Sequence, residues 1–225
     1  MPEWNELFAD EKNIDKAPEA EVYRFFALLE KKFPGARLSF WDLGCGGGRH
    51  SVAAARLGLQ VSASDKSPRA LELTSSWAAR LGLSVHTKLS DMTENPFPDS
   101  KFHGALSWNV IQHNELLNIH RAVGIIHSNL LPGGLFMGAL LSDKASGFGQ
   151  GTKLEERTYA PTEGREAGVP HHFFNEKEMR ELFPADKWRF LALAEQVTVH
   201  AEKPEGGEDY SPFRSTGWRV LAEKR

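Results

Sequence analysis

The sequence has almost no cysteine: Cys45 stands alone among 225 residues, so no disulfide can form within the chain, and the stapled framework of a small secreted domain is excluded. It also lacks an excess of positive charge. Lys plus Arg number 27 against 30 for Asp plus Glu, a formal charge of -3, so the chain does not carry the overall positive field of a general nucleic-acid binder. Long apolar runs are missing as well. The longest stretch without Lys, Arg, Asp or Glu, Ala122 to Ser142, contains His127, Asn129 and Pro132-Gly133-Gly134, and it reads as a helix followed by a strand rather than a membrane span. The opening Met1-Pro2-Glu3-Trp4-Asn5-Glu6 has neither the basic start nor the apolar core of an export signal, so a cytoplasmic location is expected. What is present is ordinary for a soluble domain. Hydrophobic residues make up 40% and charged residues 25%, and the length suits a single core, so residues 1–225 are expected to form one domain.

Along the chain, two periodicities alternate. Val22, Phe25, Phe26, Leu29 and Phe33 recur at helical spacing between Pro18 and Pro34-Gly35, which predicts an amphipathic helix over 18–33 within an N-terminal helical cover, 1–35. Leu38 to Leu43 reads as a strand, a glycine cluster follows, and Arg49 to Leu57 reads as a helix. The unit then repeats. Gln60 to Ser64 is a strand, Ser67-Pro68 supplies an N-cap and a first-turn proline for a helix to Leu81, and Ser84 to Lys88 is the next strand. Phe102 to Trp108 and Gly134 to Leu141 read as strands flanking a helix capped by Asn114. Strands alternating with helices at this spacing predict an α/β fold: a doubly wound, mostly parallel sheet with helices on both faces. Asp143 to Val169 is glycine-rich and charged, and is expected to be a long loop; 143–174 as a whole is read as a lid. Asn175 with Glu178 has the form of a capping box for a short helix, and Arg189 to His200 and Trp218 to Glu223 read as a closing strand pair joined by the turn-rich Pro204 to Asp209.

The chemistry concentrates at Phe40-Trp41-Asp42-Leu43-Gly44-Cys45-Gly46-Gly47-Gly48-Arg49, a strand ending in a carboxylate and then a glycine loop that opens a helix. In a parallel sheet, ligands bind outside such strand ends. One strand–helix–strand unit further on, Asp65 ends the next strand, where a carboxylate can accept from both hydroxyls of a ribose. The loop lacks a pyrophosphate fingerprint, because the third glycine position of G-x-G-x-x-G is Arg49. Asp42 would repel a pyrophosphate yet can accept hydrogen bonds from an ammonium group, so the expected ligand has a cationic amino end and an adenosine end.

The run Asp42-Leu43-Gly44-Cys45-Gly46-Gly47-Gly48-Arg49 resembles the first motif of the class I S-adenosylmethionine-dependent methyltransferases, and Asp65 stands where their ribose-binding acid stands. Leu131-Pro132-Gly133-Gly134-Leu135-Phe136 is similar to their turn into the fifth strand. Within that superfamily, the Gly-Arg-x-Ser ending of the loop is similar to tellurite-resistance-type and related small-molecule methyltransferases. The resemblance implies a Rossmann-like seven-stranded sheet with its last strand antiparallel, S-adenosyl-L-methionine as cofactor, and in-line methyl transfer to a small-molecule acceptor. It implies that Asp42, Gly44, Cys45, Gly46 and Arg49 hold the methionine part, Asp65 the ribose with Lys66 nearby, and Asp91-Met92 the adenine, while core packing is an equal reading for Met92. Trp108 and Asn109 would line the donor channel. The Asn/Asp-Pro-Pro-aromatic motif of enzymes that methylate nucleic-acid amines is missing, and Ser107-Trp108-Asn109-Val110 stands there instead, so nucleic acid is an unexpected acceptor.

His113, after the fourth strand, is the candidate base for a hydroxyl or amine acceptor, or else helps to cap the following helix. His171 is the second candidate. Adjacent histidines on an extended chain point to opposite sides, so His171-His172 cannot share a metal ion and no metal site is expected. Trp4 and Phe8 fit an N-terminal helix that folds over the donor or simply packs on the core. Two other readings keep the fold: a protein that binds the cofactor without catalysis, and a nicotinamide-dependent reductase.

Overall fold

The computed structural model describes residues 4–8, 17–202 and 211–225. Its elements in chain order are α1 (Trp4–Leu7), α2 (Ala20–Lys32), β1 (Ser39–Leu43), α3 (Arg49–Arg56), β2 (Gln60–Asp65), α4 (Pro68–Arg80), β3 (Val85–Leu89), β4 (Phe102–Trp108), α5 (Leu116–Asn129), β5 (Leu130–Leu141), β6 (Thr152–Glu155), β7 (Thr158–Ala160), β8 (His171–His172), α6 (Glu176–Leu182), β9 (Trp188–Glu202) and β10 (Ser211–Lys224). Seven strands form one sheet in the order β3-β2-β1-β4-β5-β10-β9. The first five are parallel, and β10 runs antiparallel to both β5 and β9. This is the expected doubly wound sheet with its closing antiparallel strand.

Alternation along the central strands sorts side chains to two faces. Phe40, Leu106, Leu135 and Met137 point to a cluster with Val22, Phe25, Phe26 and Leu29 of α2 and Ala53 and Ala54 of α3. Their neighbours Trp41, Ala105 and Phe136 join the opposite cluster, with Ile119, Val123 and Ile126 of α5 and Met179 and Leu182 of α6. The strand order reverses at β1 and β4, whose carboxyl ends therefore open a crevice. Among the described residues, no helix is long and apolar enough to cross a membrane.

Three expectations need correction. The segment read as a long loop folds instead as a second, antiparallel sheet in the order β6-β7-β8. Its apolar partners are rings, Phe148, Tyr159 and Phe173 packed edge to face, with Ala160, Val169 and Phe173 buried. β5 begins at Leu130 rather than Gly134, because Pro132-Gly133-Gly134 bulges out between the pairs Phe102↔Leu130 and Gly104↔Leu135. Asn114 does not cap α5: its Oδ1 accepts from Glu115 N–H and Asn118 Nδ2, while Leu116 N–H donates 2.6 Å to Glu155 Oε1 of the small sheet. The turn expected at Pro204 to Asp209 lies outside the described residues, and both closing strands run longer than their apolar alternation suggests.

Candidate cofactor and acceptor site

β1 ends at Leu43, and the chain must turn sharply to start α3. Gly44 takes a φ of 74°, and a Cβ there would lie 2.4 Å from Val110 Cγ1, so only glycine fits. Gly44 N–H and Cys45 N–H both donate to the Ser64 carbonyl at the end of β2, which straps the loop to the neighbouring strand. Gly48 precedes α3 in the left-handed region, with Thr74 Oγ1 2.6 Å from where its Cβ would be. The loop and the ends of β2 and β4 wall one cavity.

Gly44, Cys45, Gly46 and Arg49 line its floor. Asp65, Lys66, Asp91 and Met92 line it too, as do Trp108, Asn109 and His113. Ten of the eleven cofactor candidates from the sequence therefore face a common space, together with His113. Asp42 is the exception. It is buried behind the loop, where its Oδ2 accepts a 2.6 Å hydrogen bond from Ser51 Oγ, and it is not on the cavity wall.

Electrostatics favour a cation in this space. Burial pushes the Asp42 carboxyl up to about 6, against the Ser51 hydrogen bond, and Asp65 nearby raises it further. Asp65 is also raised by burial, even though Gly46 N–H and Ser67 N–H donate to its two oxygens, each at 2.9 Å. Two desolvated carboxylates this close are relieved by a positive ligand. Asp65 thus shapes the loop as well as facing the cavity. Asp91 is similarly occupied, its Oδ1 accepting from Thr93 N–H and Oγ1. Met92 both lines the cavity and packs on the core. Cys45 is buried beside Thr74, and desolvation raises its thiol well above the ordinary value, which leaves it no thiolate for nucleophilic chemistry.

Asn109 adopts a φ of 55°, a left-handed conformation that asparagine tolerates better than most residues, and the kink turns the chain from β4 into the cavity. Four residues on, His113 is half-buried; its Nδ1 is buried with no hydrogen-bond partner, and desolvation, with the His171 charge, lowers its pKa to about 4. The fold brings it to the other candidate histidine. The His113 and His171 rings meet edge to face with centroids 4.5 Å apart, although His171 lies on β8 of the small sheet. His172 turns the opposite way, with Nδ1 2.7 Å from Thr158 Oγ1.

Trp4 and Phe8 also line the cavity, Trp4 packing edge-on to His113 and under Lys66 Nζ. Asn5 holds them there by accepting from Ser67 Oγ at 2.6 Å and Arg69 N–H. Sequence reasoning missed two neighbours. His50 lines the cavity and packs against Trp108, and Glu166 binds His171. Its place next to the glycine loop points to the first, since His50 lies in the first turn of α3; no local pattern points to the second.

Residues 40–134, the loop with β1 to β4 and the start of β5, match the family model of a methyltransferase domain. The match supports the resemblance of this chain to the class I S-adenosylmethionine-dependent methyltransferases. The same match supports S-adenosyl-L-methionine as the cofactor. A curated relative, the ubiquinone biosynthesis O-methyltransferase of Methylocella silvestris, is 30% identical over 49% of this chain and 43% of its own length. The chain spans less than half the length of the curated relatives it matches. Among solved structures, TehB from Haemophilus influenzae superposes with a TM-score of 0.69 at 17% identity, over 98% of this chain and 67% of that one. The 1,6-didemethyltoxoflavin-N1-methyltransferase of Burkholderia thailandensis gives 0.67 at 21% identity, over 98% and 85%. At these identities the two structures establish the fold.

Proposed function

We propose that this methyltransferase transfers the methyl group of S-adenosylmethionine to an oxygen of a small-molecule acceptor. The observation that carries the reading is that the glycine loop, Asp65 and Asp91-Met92 share one cavity with His113 and Trp4. The names of the curated relatives, ubiquinone biosynthesis O-methyltransferases, support oxygen as the atom methylated. When bound, S-adenosylmethionine supplies a methyl group already activated by a sulfonium. The chain's task is then placement and exclusion of water. Bare backbone at Gly44 and Gly46 admits the methionine part, Asp65 accepts from the ribose, and Trp4 and Phe8 close the cavity against solvent. Asp42 acts from behind the loop: through Ser51 it fixes the start of α3, and its buried charge favours a cation above.

The test is calorimetric titration with S-adenosylhomocysteine and, separately, NADH. Saturable binding of S-adenosylhomocysteine alone is expected, followed by methyl transfer to phenols or catechols, seen as a mass gain of one methyl group; thiols, amines and chalcogen oxyanions complete the panel. Asp65→Ala should weaken S-adenosylhomocysteine at least tenfold, since hydrogen bonds to a charged acceptor contribute about 1.5–3 kcal/mol. Binding of NADH alone would favour a reductase. Tight S-adenosylhomocysteine binding without turnover on any acceptor would favour a non-catalytic binding protein.

A further inference from the structure

His171 is held between two groups that accept hydrogen bonds. Its Nδ1 lies 2.8 Å from the Val169 carbonyl oxygen, which can only accept, so Nδ1 carries the hydrogen. Its Nε2 then presents a lone pair, and 2.7 Å away is Glu166 Oε2, a carboxylate that also accepts. Two electron-pair donors at this distance need an electrophile between them, a proton or a metal ion. His113 discriminates. The nearest donor atoms of His113, Glu166 and His171 all lie within 4.8 Å of one another, and His113 Nδ1 is buried with no hydrogen-bond partner. A shared proton occupies two donors, whereas a metal ion uses three.

We propose that His113, Glu166 and His171 form a site for a divalent transition-metal ion at the acceptor end of the cavity. Two imidazoles and one carboxylate suit zinc, iron, cobalt or manganese better than magnesium or calcium, which prefer all-oxygen shells. The hydrogen bond from His171 Nδ1 to a backbone carbonyl is the arrangement that orients a ligating imidazole and leaves Nε2 for the metal. Ligand bonds of about 2.0–2.2 Å require donor atoms roughly 3–3.5 Å apart, so the widest pair must close by up to roughly 1.5 Å, while Glu166 Oε2 and His171 Nε2, now 2.7 Å apart, open slightly. The sequence reading looked for a metal only at His171-His172, adjacent residues that face opposite ways; the fold supplies the other two ligands from distant segments.

Three protein ligands leave coordination positions open, and His113 lines the cavity, so those positions face the space left for the acceptor. Resting on the proposed function, the acceptor is an oxygen chelator: a vicinal dihydroxy aromatic or a hydroxycarboxylate. Coordination acidifies its hydroxyl, the proton leaves to solvent, and the oxygen lone pair forms the new O–C bond while the electrons of the breaking S–C bond stay on sulfur.

The full chain, stripped with EDTA and dialysed, is titrated with Co2+ while visible d–d absorption is followed, and in parallel with S-adenosylhomocysteine. One Co2+ per chain is expected. His113→Gln, Glu166→Gln and His171→Ala should each weaken it at least tenfold, while Glu163→Gln on the same segment leaves it unchanged; thermal melts exclude variants that have unfolded. Absence of stoichiometric Co2+ binding, or binding indifferent to all three ligand substitutions, overturns the site. S-adenosylhomocysteine binding without Co2+ binding removes the metal site alone, and the converse removes the donor reading alone. Retained turnover of a vicinal diol in EDTA overturns the role given to the metal.

Discussion

His50 is a histidine that packing keeps neutral. Burial, helped by the Arg49 charge, lowers its pKa from 6.5 to about 3, and its Nε2 accepts from Glu19 N–H at 3.5 Å. The unfolded chain binds a proton at this residue as pH falls through 6.5, whereas the folded chain does not until about 3. Stability from His50 is therefore present at neutral pH and lost on acidification through that window. Between pH 7.5 and pH 5 the loss amounts to about 2 kcal/mol. Gln at this position can accept the same hydrogen bond and does not titrate, so the stability difference between wild type and His50→Gln should shift by about that amount in favour of the variant at pH 5. Urea unfolding at both pH values measures it, and an unchanged difference would show that the imidazole is not held neutral.

At the level of elements, the parts visible in the sequence were the local ones. β1 through β5 with their helices each carry a complete signal in a few residues: a β-rich run, a glycine or Ser-Pro boundary, a helical stripe. The small sheet carries none, since β8 is two residues long and is defined by its pairing to Thr158 and Tyr159. The same limit hid the partnership of His113 with Glu166, which depends on how that sheet docks. Its docking has an identifiable clasp. Glu155 accepts from Leu116 N–H at the start of α5 and from Thr158 Oγ1 at 2.8 Å, so one carboxylate joins the small sheet to a helix N-terminus, where negative charge is favoured. Glu155→Ala removes a helix-terminal acceptor that is worth about 1 kcal/mol. The expected result is a melting temperature lower by a few degrees and faster proteolytic nicking within 143–170. An unaltered proteolysis pattern would mean that the aromatic cluster alone holds the sheet.

For the whole molecule, the N-terminal helices α1 and α2 play two separable parts. The sequence reading treated 1–35 as a cover, yet α2 is half of one core: Val22, Phe25, Phe26 and Leu29 are fully or almost fully buried against β1, β4 and β5. Ion pairs Arg219–Glu21 and Lys32–Glu223 tie the same helix to β10, across the full length of the chain. Burying four large apolar side chains contributes about 6–12 kcal/mol at roughly 1.5–3 kcal/mol each, as much as the net stability of an ordinary domain. α1 is different. Its four residues are too few to be helical alone, and they are held by the two Asn5 hydrogen bonds and by the contacts of Trp4 and Phe8 around the cavity. Deleting residues 1–35 should therefore abolish cooperative unfolding, with loss of the near-ultraviolet dichroism of the packed aromatic rings. Deleting only residues 1–16 should leave a single cooperative transition within a few degrees of the full chain, but S-adenosylhomocysteine should dissociate several-fold faster, because the side chains that close the cavity are gone. Stopped-flow fluorescence measures the off-rate, and an off-rate equal to that of the full chain would make α1 a passenger rather than the wall of the site.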